Sequence, residues 1–129
     1  MQDKQGQQDN LIKFKISSSL NDTSKLIGIL EEQLKKEEAF GVVLIREGEE
    51  KSAPEARKLF NNWLKANKSL LKRYCYGLGM VAASESMQRI YKPVAKLMIS
   101  KTYGCPGELF AKEEDGVEWL LKQKNIWGK

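Results

Sequence analysis

The chain has 129 residues, 41% of them hydrophobic and 30% charged, with a formal net charge of +5. It contains no histidine, which excludes Ser-His-Asp and Cys-His catalysis in their usual forms and any His-containing zinc site. Its two cysteines, Cys75 and Cys105, are too few for a four-thiolate zinc site, and no apolar run approaches the roughly 20 residues a membrane-crossing helix needs.

In chain order, residues 1–10 are rich in Gln and Asp without an apolar centre. They read as a disordered tail rather than a signal peptide, followed by one domain over residues 11–129. Leu11 to Ile16 alternates, with Ile12, Phe14 and Ile16 on one side and Lys13 and Lys15 on the other. Period two with lysines on one face predicts a strand at a sheet edge. The polar run from Ser17 to Thr23 offers a helix start. Leu26, Ile27, Ile29, Leu30 and Leu34 then form the apolar stripe of an amphipathic helix.

Gly41 to Ile45 is a continuous apolar run closed by Glu47-Gly48-Glu49-Glu50, the pattern of a strand buried on both faces in a parallel sheet. Ser52-Ala53-Pro54-Glu55 reads as a capping box, with Ser52 at the N-cap. The helix it starts is expected to bury Ala56, Leu59, Phe60, Trp63, Leu64, Leu70, Leu71 and Tyr74, with Asn67 interrupting the stripe. Cys75 to Ala83 reads as a second buried strand. Gly77 and Gly79 face one side of it and allow a helix to approach closely. Ser84 caps a further helix carrying Met87, Ile90, Tyr91, Val94, Ala95, Leu97 and Met98. Pro93 should kink or divide that helix. After a turn at Tyr103–Gly107, Glu108–Ala111 is a short last strand and Glu113–Lys124 a closing helix with Val117, Trp119, Leu120 and Leu121. Strand and helix thus alternate four times, which predicts an α/β fold with a small, mainly parallel four-stranded sheet.

Charge is unevenly placed. From Ala53 to Lys101 ten Lys/Arg face only Glu55 and Glu85, whereas the remainder has twelve basic and fifteen acidic residues. Lys65, Lys68 and Lys72 share one side of their helix, and Arg89, Lys92 and Lys96 lie on the next. A basic face of this kind suits an acidic protein, an anionic lipid headgroup or nucleic acid, or simply keeps the surface solvated.

Three stretches, LLKRYCYGLGMVAAS, SMQRIYKPVAKLMI and GELFAKEEDGVEWLL, resemble the SpoIIAA-like branch of the STAS (STAS/SEC14-like) superfamily. The resemblance covers roughly residues 40–122. It implies a small sheet with helices packed on one side, and a regulatory, non-enzymatic module that binds a partner protein. In that family a Ser or Thr in an Asp-Ser-Ser-Gly-like loop before the second helix accepts phosphate. Ser52 stands at that place here, within Glu49-Glu50-Lys51-Ser52-Ala53, although the flanking motif differs.

Ligand sites in open parallel sheets form at the carboxyl ends of strands. This rule points to two loops, Glu47, Glu49, Glu50 and Ser52 after one central strand, and Ser84, Glu85 and Ser86 after the other. Ser52 is read either as a phosphoacceptor or as a structural cap. Gly77-x-Gly79 lies inside a strand and is not a phosphate loop. Cys75, beside Lys72 and Arg73, is read as an inert buried thiol rather than a reactive one. Tyr91 and Tyr103 are read as ordinary packing, and Trp127 as packing or a docking contact. The sequence calls for no cofactor or metal. Its reduced cysteines suggest a cytoplasmic location, and nothing in it fixes an oligomeric state.

Overall fold

The computed structural model describes residues 11–48 and 53–127. Strands and helices alternate: β1 (Leu11–Ile16), α1 (Leu20–Lys35), β2 (Phe40–Arg46), α2 (Pro54–Tyr74), β3 (Cys75–Val81), α3 (Glu85–Tyr103), β4 (Gly107–Phe110) and α4 (Glu113–Trp127). The sheet has the order β1-β2-β3-β4 and every pairing is parallel. Val42 pairs with Leu78, Leu44 with Met80 and Ile45 with Val81, so the two apolar runs are adjacent central strands, as expected. Each crossover steps one strand along, which lays α1, α2 and α3 on one face. Their Leu30, Leu64 and Ile99 share a core with Val42, Leu44 and Leu78.

α4 departs from the one-sided packing that the family resemblance implies. It crosses to the opposite face, where Leu120 is buried against Val43 and Tyr76. Gly77 makes this seat: a Cβ there would lie 2.9 Å from Leu120 Cδ2 and 3.2 Å from Trp119. At Gly79 the facing helix residue is itself a glycine, Gly116. The closely spaced strand glycines therefore receive the terminal helix.

The helix starts follow their polar signals, with one correction. Ser19 caps α1, its Oγ accepting from Asp22 N–H at 3.1 Å, while Ser17 N–H donates to Asp22 Oδ2 at 3.0 Å. Hydrogen bonds from the Ser17 hydroxyl and amide hold the Asp22 carboxyl below its usual range. Ser84 Oγ accepts from Met87 N–H at 3.2 Å and caps α3. α2, however, begins at Pro54 with Ala53 at the cap position, one residue later than the capping-box spacing requires. Ser52 lies outside the described residues, as do Glu49, Glu50 and residues 1–10.

α3 runs without a break through Pro93. It ends at Gly104, whose φ of 85° suits a residue without a Cβ. β3 stops at Val81, short of Ala83, and α4 extends past Lys124 to Trp127. Leu59 and Leu70, expected to be buried, are exposed, because the buried edge of α2 narrows to Ala56, Trp63, Leu64 and Leu71. Asn67 is absorbed locally, its Nδ2 donating to Trp63 O at 2.9 Å. Trp63 Nε1 donates to Glu31 Oε2 at 2.9 Å and ties α2 to α1.

Candidate functional site

The parallel register brings the carboxyl ends of β1, β2 and β3 to one edge. Beside that edge, between α2 and α3, lies a cavity of about 560 Å³, inside the range of about 300–1,000 Å³ that ligand pockets occupy. Its cause is the way α3 sits. This 19-residue helix buries only Ala95, Ile99 and Tyr103, one residue per turn along a single line. From Met87 to Val94 none of its side chains is buried. Pro93 also removes a backbone donor there.

The floor of the cavity is apolar, with Leu44, Met80 and Leu109 from the strands and Phe60 from α2. Phe60 stacks on Trp63 with centroids 6.2 Å apart and meets Tyr103 edge-on at 5.9 Å. Met80, Met87 and Met98 all line the space, and they are every methionine of the chain apart from Met1. Thioether side chains adapt to ligands of irregular shape. Polar groups are few: Arg46 at the end of β2, Arg57 and Asn61 on α2, Thr23 on α1 and Thr102 on α3. Among the described residues no carboxylate lines the cavity.

The loop residues expected at this edge lie around it. Glu47 is exposed, and its N–H donates to Ile16 O at 2.9 Å. Ser84 is occupied as a helix cap, and Glu85 and Ser86 are exposed in the first turn of α3. The basic side chains divide. Lys65, Lys68 and Lys72 are exposed on α2, and the stems of Lys68 and Lys72 border Gly104 at the carboxyl end of α3. Arg89, Lys92 and Lys96 are exposed on α3. Lys92 reaches instead over the Phe110 ring of β4, 5.9 Å from its centroid. Tyr91, read as ordinary packing, is 49% exposed and borders the cavity, whereas Tyr103 is buried as expected. Trp127 is 41% exposed at the end of α4.

Sequence reasoning passed over Arg46 and Arg57. The signal that finds Arg46 is its place: a guanidinium closing a buried strand at the ligand-binding edge of a parallel sheet. The relation between Cys75 and Cys105 was also missed. Both are free and buried at the amino-terminal end of the sheet. Burial, then a hydrogen bond and charge interaction with Cys105, push the Cys75 thiol well above its usual range. Burial likewise pushes the Tyr103 phenol up. A second, shallower groove of about 540 Å³ runs between β1 and α1 past Ile12, Phe14 and Gln33.

Compared with known proteins, the chain matches no family model, no curated protein and no solved structure. Among the described residues no helix is long and apolar enough to cross a membrane, and no group of three or more Cys, Asp or Glu is placed to hold a metal ion.

Proposed function

We propose that this chain is a non-enzymatic regulatory module of STAS-like type that docks a protein partner on its α2–α3 face. The observation that carries the reading is the outer ridge of α3. Ile90, Val94 and Leu97 recur at helical spacing and are 66%, 47% and 71% exposed. Apolar anchors at i, i+4 and i+7 beside Arg89 and Lys96 suit an amphipathic segment with acidic flanks. The exposed loop residues Glu47, Glu85 and Ser86 border the same face and would set register. The absence of histidine from the chain and the unbridged, buried cysteine pair support a binding rather than catalytic role in reducing, cytoplasmic surroundings.

The test is a photo-crosslinker placed at Leu97 in the native cell, with Glu118 on α4 as control. A protein adduct at 97, absent at 118 and lost in Ile90→Asp, is the expected result. Adducts at 97 made only with lipid or nucleic acid would contradict the reading and favour an anion-binding role for the basic face instead.

A further inference from the structure

We propose that the cavity between α2 and α3 is a binding site for one anionic amphiphile: a single apolar chain carrying a carboxylate or phosphate head. This goes beyond partner docking, which uses the outer ridge of α3, where Ile90 and Leu97 do not line the cavity and only Val94 borders both.

Three observations converge. The wall is apolar and adaptable, made largely of Phe60, Leu109 and all the internal methionines of the chain. An apolar lining of this size holds a hydrocarbon segment by area removed from water. Among the described residues the charged lining is cationic: Arg46 and Arg57 border the space, and a guanidinium that already has one partner keeps further N–H donors for an anion. Guanidinium groups hold carboxylate and phosphate oxygens through paired N–H donors. Arg57 also stands in the first two turns of the 21-residue α2, where the positive end of the helix dipole adds to the same field. Finally, the cavity runs along α3 from Met87 to Tyr103, and on its strand-end side the helix side chains from Met87 to Val94 are not buried. A chain can therefore enter from the strand-end edge and lie along the Ala95–Ile99–Tyr103 seam, which itself lines the cavity. The head rests at the rim between Arg46 and Arg57, and the tail runs inward past Met80 and Met98.

The experiment titrates the full chain by calorimetry, below micelle-forming concentrations. Palmitate and dodecyl phosphate serve as ligands, with hexadecanol (tail without charge) and inorganic phosphate (head without tail) as controls. The expected result is saturable binding of one amphiphile per chain. The tighter of palmitate and dodecyl phosphate identifies the head, and each control binds at least about tenfold more weakly. Arg46→Gln and Arg57→Gln each lower affinity by about tenfold or more, the range for hydrogen bonds to charged groups. Met98→Trp, at a position 58% exposed and therefore tolerant of a larger side chain, abolishes binding while circular dichroism is unchanged. Equal affinity for hexadecanol and palmitate, binding of inorganic phosphate as tight as that of the amphiphile, or indifference to both arginine substitutions would overturn the assignment. The crosslink at Leu97 depends on neither arginine, so the two proposals fail separately.

Discussion

The two faces of the sheet are covered by helices that each rest on a strand glycine, Gly77 under Leu120 of α4 and Gly107 under Ile99 of α3, but the first half of α3 buries no side chain. α4 lies against Gly77 and Gly79, presents its own Gly116, and buries Leu120 completely. Backbone approaches backbone there. α3, on the other face, touches the core along the Ala95–Ile99–Tyr103 line and borders a cavity along most of its length, with Ile90 and Leu97 in water. Close packing maximises dispersion contacts and permits one arrangement. A helix held by one seam is cheaper to displace and leaves room for something else. The α3 face is thus the one on which both proposals rest, and the α4 face serves as their internal control.

The contrast is broken most easily at Leu120. Leu120→Ala removes a fully buried side chain and should cost about 2–5 kcal/mol in a urea titration. A loss below about 1 kcal/mol would show the α4 seat to be as loose as that of α3. Next in size is Gly77→Ala, whose new Cβ meets Leu120 and Trp119. Overpacking there should cost about 1–3 kcal/mol, with α4 rather than α3 losing protection.

A pH series sharpens the same comparison at the seam of α3. Cys75 and Tyr103 have values raised by burial above their ordinary 9.0 and 10.0. In the unfolded chain these groups lose protons first, so their contribution is fully present below about pH 9 and is lost as pH rises beyond it. The unfolding midpoint in urea should decline from about pH 9 upward, with a slope of up to about 1.4 kcal/mol per pH unit for each group. A midpoint flat to pH 11 would mean that neither group is buried as described. The smallest effect is expected on the outer ridge: Leu97→Ala should change stability by less than about 0.5 kcal/mol, measured by the same titration. A cost above about 2 kcal/mol would place Leu97 in a core and remove the ridge.

Much of this arrangement is legible in the sequence, and the physical reason is periodicity. Runs such as Val42–Ile45 and the small residues at Gly77 and Gly79 have meaning only between two layers, so they mark central strands and the approach of a helix. Side-chain periodicity does not report which apolar positions find a partner. In α3, apolar residues recur nearly all round the helix. Ile90, Val94 and Leu97 read much like Ala95 and Ile99, and only the tertiary seat separates the ridge from the seam. Cys75 and Cys105 are 30 positions apart and meet because Leu78 pairs with Gly107, a register that no local pattern announces. The acidic loop residues drew attention to the strand-end edge of the sheet, beside which the α2–α3 cavity lies. Among the described residues the charged groups that line the cavity are Arg46 and Arg57, one at the end of an apolar run and the other within a basic helix, where each resembles ordinary surface charge.

Native-state hydrogen exchange on the full chain, with and without palmitate, tests the division of labour most directly. Backbone amides from Met87 to Val94 should exchange at least about tenfold faster than those from Gly116 to Leu121, and palmitate should slow the first group while leaving the second unchanged. Equal protection of the two segments, or slowing confined to α4, would contradict that division.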